Sequence, residues 1–344
     1  MSGPIIGRPV RIAMLSVAHV HAPWYLAGLA GMPDVELVGC WDADPALAAE
    51  RATAAGIRAW EDLDALVAAC DAVVIAGVNR DHRPLVERAA AAGRHVLCEK
   101  PLATSVADAR AIVEACHAAG VKLMTAFPSR MSATIGALAR AIAEGAVGEV
   151  ISFEGVNSGE MPDVHGAWFV DPELAGGGAI TDHVVHLADL YRWLTGSEVV
   201  EVYAVANRIL QEGFDRVETG GLVTLRLANG VVGSIDCSWS KPRSYPTWGG
   251  LTIEVLGTGG ALDLDAFRQR LEVYGRREDG ITWASFASDA NGPMLAEFVA
   301  AVREDRTPAI TGEDGLRAVE IVQAAYRSIE TGRPVAIAEV AVTG

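Results

Sequence analysis

The chain has 344 residues, 51% of them apolar and 21% charged, with a formal net charge of -16 at pH 7. That length predicts two domains, and the absence of any apolar run near the roughly 20 residues of a membrane span predicts a globular chain with no membrane partner. The acidic balance argues against nucleic acid, whose binders carry a basic face, and an amino terminus without the apolar core or cleavage site of a signal peptide points to the cytoplasm.

In chain order, "RIAML" (Arg11 to Leu15) reads as a strand, runs into "SVAHVH" (Ser16 to His21), and continues into a helix-like segment. Dinucleotide-binding units open this way, yet the turn contains no glycine. Aligned with G-x-G-x-x-G, Ser16, Ala18 and His21 stand where the three glycines would. Ser16 must then make the tight turn and Ala18 must let backbone approach a pyrophosphate. An imidazole at position 21 is the larger departure: it should push the helix outward or project towards the bound ligand. A helix amino terminus still offers local positive potential to an anionic dinucleotide, whatever the net charge.

The next strand, "VELVGCW", ends at Asp42, 24 residues beyond Ala18. A carboxylate there accepts hydrogen bonds from the adenosine ribose and repels a 2′-phosphate, which favours NAD over NADP. The alternative is that Asp42 caps the helix starting near Pro45, for which Asp44 is better placed. Three further strands, "AVVIAGV", "HVLCEK" and "VKLMTAF", alternate with Ala-rich helices that close at Gly56, Gly93 and Gly120. Such alternation predicts a doubly wound α/β unit with a parallel sheet covered on both faces. "HVLCEK" delivers Glu99-Lys100-Pro101 to the carboxyl end of a parallel strand, where open α/β sheets place ligands; a surface ion pair on a loop is the plainer alternative. The five cysteines are scattered and never spaced as CxxC, so buried thiols are expected rather than disulfides or a zinc knuckle.

Beyond Gly148 longer strand-like runs appear, "EVISFEGV", "VVEVYAVAN", "GGLVTLRLANGVVGSIDCSWS", "LTIEVLGTGGALDLD" and "RLEVYG". They predict an α+β domain with a mainly antiparallel sheet. The expected division is residues 1–128 and 129–344, with two carboxyl-terminal helices, about 293–332, packing back on the first domain. A single helix, "TDHVVHLADLYRWL", interrupts the strands. It sets Asp182 and His186 four residues apart on one face, with Asp189 continuing the stripe, while most of its remaining surface is apolar. The helix is therefore largely buried, and its polar stripe faces either a cleft or solvent. Gly176, Gly177 and Gly178 before it permit close backbone approach.

These segments resemble the glucose-fructose oxidoreductase / inositol dehydrogenase / MocA family. The likeness rests on Glu99-Lys100-Pro101, on "NRDHRPLVERAAAAGRHV" before it, on Arg130 shortly after the sixth strand, and on "GGGAITDHVVHLADLYRWLTG", "VLGTGGALDLD" and "YRSIETGRPV". It spans nearly the whole chain. The resemblance implies a Rossmann domain joined to an α/β domain whose open sheet often mediates oligomers, hence a homodimer or homotetramer. It also implies reversible NAD(P)-dependent oxidation of a hydroxyl on a sugar, cyclitol or related polyol, and a kinked or cis bond before Pro101.

Carried over residue by residue, Lys100 lies beside the nicotinamide and the substrate hydroxyl, and Asp182 and His186 match the catalytic Asp-x-x-x-His pattern. His186 takes the hydroxyl proton, Lys100 stabilises the developing alkoxide, and Asp182 binds a neighbouring hydroxyl or orients its partners. Whether Lys100 or His186 is the proton acceptor stays open. Ser16, Ala18, His19, Val20, Asp42, Val78, Asn79, His82 and Glu99 are the expected cofactor contacts, Asn79 and His82 lying in the stretch after strand four. Arg130, His165, Trp168 and His183 join Asp182 as expected substrate contacts. The spacings of His19/His21 and His183/His186 are not diagnostic of metal ligation, and no metal is expected. Two alternatives remain, a redox-neutral enzyme that retains its NAD and a non-catalytic dinucleotide-binding regulator; the joint presence of Lys100, Asp182 and His186 argues against the regulator.

Overall fold

The structure is a computed structural model and describes residues 4–211, 214–245, 247, 249–268, 270–274, 281–285 and 289–341. Its first part alternates β1 (Val10–Leu15), α1 (Ala22–Ala30), β2 (Val35–Trp41), α2 (Pro45–Ala55), α3 (Leu63–Ala69), β3 (Ala72–Ile75), α4 (His82–Ala91), β4 (His95–Cys98), α5 (Val106–Ala119) and β5 (Leu123–Thr125). The five strands pair in parallel in the order β2-β1-β3-β4-β5. Every residue of "AVVI" in β3 and "HVLC" in β4 is buried, as a sheet covered on both faces requires. Asp44, not Asp42, caps α2, accepting from the Ala46 and Leu47 N–H groups.

Three strands stop earlier than their apolar runs predict. Ala76–Val78, Glu99–Lys100 and Ala126–Phe127 lie beyond the ends of β3, β4 and β5. These are the carboxyl ends of parallel strands, and the chain leaves the ladder there to build the cleft. The sheet has five strands, so Arg130 follows the fifth rather than a sixth. Likewise Asn79 and His82 follow the third strand and not the fourth.

The second part contains α6 (Ala133–Ala143), β6 (Val150–Gly159), the short α7 (Pro172–Ala175), a π-helical turn at Ile180–Val184, and α8 (Val185–Thr195). Then follow β7 (Val199–Asn207), β8 (Gly220–Leu227), β9 (Val232–Ser238), β10 (Gly249–Gly257), β11 (Gly260–Asp265), β12 (Arg270–Tyr274) and β13 (Ile281–Ser285). The chain ends in α9 (Asn291–Arg303), α10 (Gly312–Thr331), β14 (Val335–Ala336) and α11 (Ile337–Ala341). Seven strands form one sheet in the order β11-β10-β6-β9-β8-β7-β14, antiparallel except where β6 meets β9, while β12 and β13 pair separately. α9 packs on α1, and α10 lies against α5, α8 and β7, so the carboxyl-terminal helices touch both sheets. No helix among the described residues is long and apolar enough to cross a membrane.

Candidate active site

The β1–α1 turn shows how the chain manages without its glycines. Ser16 adopts φ 63°, a left-handed conformation that serine seldom takes. Its hydroxyl donates to Asp42 Oδ2 at 2.8 Å, and the Val17 N–H donates to the same oxygen at 2.7 Å. The Asp44 N–H reaches Oδ1 at 2.9 Å. Three of roughly four acceptor positions on the buried Asp42 carboxylate thus hold the turn. Across the sheet, a Cβ at Gly77 would lie 2.6 Å from the Ser16 Cβ and closer still to its Oγ. The missing glycine has a counterpart just after β3. Gly77→Ala is expected to cost about 1–3 kcal/mol of stability through this overlap; urea unfolding of the Gly77→Ala and Gly77→Ala/Ser16→Gly proteins checks it, with most of the loss recovered in the second.

His21 neither displaces α1 nor simply projects at a ligand. It is the residue before the helix, its ring 5.3 Å from that of Trp24, and its Nδ1 lies 2.7 Å from Glu99 Oε1. The Tyr25 hydroxyl donates to the same oxygen, and the Lys100 N–H donates to Oε2 at 2.9 Å. Glu99 is 1% exposed. The expectation that it contacts cofactor is therefore corrected: its carboxylate faces the loop and α1. Burial would raise the Glu99 carboxyl, but His19, His21 and Lys100 outweigh burial and hold it below the ordinary range. The His19 N–H bonds the Ala76 carbonyl at 2.8 Å, while its Nδ1 accepts from the His21 N–H at 3.1 Å. Burial lowers the His19 pKa well below its ordinary value, so the ring is neutral at pH 7.

Two further residues expected at the cofactor make protein hydrogen bonds. His82 is fully buried and its Nδ1 meets the Pro101 carbonyl at 3.0 Å. It braces the turn containing the cis Lys100–Pro101 bond instead of reaching the cleft. Asn79 gives its amide to the Ala175 carbonyl at 2.9 Å, tying the segment after β3, which includes the half-buried Val78, to the second part of the chain.

Lys100 Nζ lies 2.7 Å from Asp182 Oδ1 and donates to the Asp182 carbonyl at 3.2 Å. The other carboxylate oxygen accepts from the Trp239 indole N–H at 3.1 Å. Burial works against the Asp182 charge, but Lys100, His183 and Trp239 outweigh it and hold the carboxyl well below its ordinary range. His186, one turn on, has its pKa lowered well below the ordinary imidazole value by burial and by the Lys100 charge. It is a neutral ring at pH 7.

The backbone that carries Asp182 is anchored from two sides. Glu218 Oε1, just before β8, accepts from the Gly178 N–H at 3.1 Å, the Ile180 N–H at 2.9 Å and the Tyr326 hydroxyl at 2.8 Å. A Cβ on Gly177 would overlap the Tyr326 hydroxyl, and one on Gly178 the Glu218 carbonyl. The glycines admit the Tyr326 side chain and the Glu218 backbone where α8 begins, and the first turn is wound as a π-helix.

Three expected substrate contacts are corrected. Arg130 is buried and gives its guanidinium to Asp189, with Nε–Oδ2 at 2.7 Å, and to Asp314 at 2.9 Å. Asp189 turns to this pair and not to the cleft. His183 is fully buried, with Nε2 3.6 Å from Asp182 Oδ2, and so lies behind the carboxylate. Trp168 stacks on Phe169 with ring centroids 3.8 Å apart, and it is Phe169 that reaches the cleft. The exposed His165 does line it.

His19, Val20, His21, Lys100, Asp182 and His186 surround one cavity of about 580 Å³ between the two sheets. Sequence reasoning missed Asn157, Phe169 and Glu160, which also face it, and Trp239 and Glu218, which fix Asp182. Asn157 is buried near the end of β6, and its amide donates to the His183 carbonyl at 3.2 Å. His19, His21 and Glu99 each bring one ligand-type atom within 4.8 Å of the others.

Comparison with known proteins agrees with this architecture. Residues 12–127 match an oxidoreductase family with an NAD-binding Rossmann fold, and residues 135–263 match the GFO/IDH/MocA C-terminal domain. D-apiose dehydrogenase of Paraburkholderia graminis is 31% identical over 353 residues, covering 96% of this chain and 88% of its own. Inositol 2-dehydrogenase of Rhizobium meliloti is 30% identical over 349 residues, covering 96% and 99%. The crystal structure of GenD2 from gentamicin A biosynthesis in complex with NAD superposes with a TM-score of 0.87 at 28% identity, covering 98% of both chains.

Proposed function

We propose that this chain, which belongs to the GFO/IDH/MocA oxidoreductase family with its NAD-binding Rossmann fold, oxidises a hydroxyl of a sugar, cyclitol or related polyol reversibly. The observation that carries the reading is the convergence of Lys100, Asp182 and His186 on one cavity that opens from the β1–α1 turn. A dinucleotide fits that turn in two respects. Ser16 supplies the tight left-handed corner, and Asp42 keeps acceptor capacity on Oδ1 for a ribose hydroxyl. The cofactor is NAD in preference to NADP, because the Asp42 carboxylate opposes a 2′-phosphate.

When bound, NAD supplies the hydride acceptor. The chain's own residues do the rest. His186, neutral at pH 7, takes the hydroxyl proton. The Lys100 ammonium faces the oxygen on which charge develops and stabilises it. Asp182, ionised and held on both oxygens, keeps that ammonium in place. Phe169 and Ile135 give the cleft apolar wall, and Asn157, Glu160 and His165 offer partners for the remaining hydroxyls.

Because the His186 pKa is lowered, kcat/KM for oxidation should stay level on the His186 limb from pH 6.5 upwards and fall only at more acid pH, where the ring takes up its proton. A pH–rate profile checks this, and a decline beginning above pH 7 would count against His186 as the base. Incubation with NAD and a polyol panel, followed at the reduced-nicotinamide absorbance band, tests the activity itself. Net reduction supports a dehydrogenase; turnover without net reduction supports the redox-neutral alternative.

The working division is a dinucleotide-binding unit of residues 1–128 and a substrate and assembly unit of residues 129–344. The seven-stranded sheet exposes Ile151, Tyr203, Val205, Leu222, Val232 and Leu256. That apolar set is the surface through which a homodimer or homotetramer forms.

A further inference from the structure

We propose that His19, His21 and Glu99 form a binding site for a divalent transition ion of the zinc class, set in the cofactor loop and open to the cavity. Two imidazoles and one carboxylate are a donor set that zinc accepts in sites with a free position. His21 Nδ1 lies 2.7 Å and His19 Nδ1 3.7 Å from Glu99 Oε1. With metal–ligand bonds of about 2.0–2.2 Å, neighbouring donors of a tetrahedral ion stand about 3.3–3.6 Å apart, between those two separations. The three donors are within 4.8 Å of one another.

The supports are rigid. Glu99 follows a fully buried strand, and the loop is pinned by the Ser16–Asp42 hydrogen bond and by the His19 N–H on the Ala76 carbonyl. The ion takes the place of the His21 Nδ1–Glu99 Oε1 hydrogen bond, and His21 ligates through Nδ1 as the tautomer that carries its one ring proton on Nε2. It also takes the His19 Nδ1 lone pair, which accepts from the His21 N–H at 3.1 Å in the metal-free arrangement. His19 and His21 line the same cavity as Lys100 and His186. The open position therefore faces the cleft, where it accepts an oxygen ligand, a substrate hydroxyl or a phosphate oxygen. The His-x-His spacing singled out no ion, because the third ligand lies 78 residues away.

The test uses the full chain stripped with a chelator and titrated with Co²⁺, following the visible absorption of tetrahedral cobalt, with Zn²⁺ competition and thermal unfolding as second readouts. The site predicts saturation near one ion per chain, displacement by Zn²⁺, and an unfolding midpoint that rises with ion concentration. His21→Asn and Glu99→Gln should each weaken Co²⁺ binding by more than about a hundredfold, beyond the loss of a merely orienting partner. If either variant fails to fold, the other decides. Absence of the cobalt band in the unmodified chain, or binding that survives in the folded variants and so reports an adventitious ion only, overturns the proposal.

Discussion

Replacing Lys100 by methionine is expected to lower kcat/KM for polyol oxidation by about 10²–10³-fold, the usual cost of losing one preorganised donor at a developing oxyanion. The side chain is 6% exposed, and its amino group is fixed 2.7 Å from Asp182, so no water replaces its charge cheaply. Dinucleotide affinity should change by less than about threefold, since the substitution removes stabilisation of the reacting oxygen and leaves the β1–α1 turn untouched. Steady-state kinetics with a separate titration of cofactor binding divides the two effects. Lys100→Arg should not restore the rate, because a planar guanidinium does not reproduce a compact ammonium. Activity within threefold of the unmodified chain would remove Lys100 from the chemistry.

The second large effect is on stability. Arg130→Met should destabilise the fold by about 3–5 kcal/mol, because it leaves a buried carboxylate without its counter-charge. Arg130 joins Asp189 of α8 to Asp314 of α10, and Arg192 lies 3.4 Å from the same Asp314. Burial already raises Asp189 to about 6 despite the opposing guanidinium. A carboxyl raised in the folded state favours folding when protonated and loses that contribution as pH climbs through its folded pKa. Removing Arg130 raises Asp189 further. The deficit should therefore be larger at pH 8 than at pH 5, which urea unfolding at the two pH values measures. An equal loss at both would show that Asp189 is not the group left uncompensated.

Much of the fold is legible along the chain because its signals are local. Val35–Trp41 and Val199–Asn207 form strands over the full length of their apolar runs, and Gly56 and Gly120 end helices at φ 66° and 67°. Asp182 and His186 are legible as a pair because four residues make about one helical turn. What stays hidden is pairing across distance. Arg130 finds its carboxylates 59 and 184 residues away, and nothing near "PSRM" announces that its charge is already committed. His82 and Glu99 look like cleft residues from their place after parallel strands, yet each folds back to brace a neighbouring turn. The glycine-free turn is the clearest case: the space for the Ser16 side chain is provided by Gly77, just beyond the end of β3. The π-turn at Ile180–Val184 is likewise set by Glu218 and Tyr326, long-range partners that helix periodicity does not encode.

On the proposed function, hydride passes from a carbinol carbon to a nicotinamide in the cavity between Lys100 and His186. A single-turnover experiment with the enzyme, NAD and a polyol deuterated at each carbinol carbon follows that hydride directly. Deuterium is expected at C4 of the reduced nicotinamide, none of it exchanged with solvent, with the transfer slowed by about 10²–10³-fold in Lys100→Met. Product formation with no deuterium in the cofactor, or with label washed into water before transfer, would contradict it.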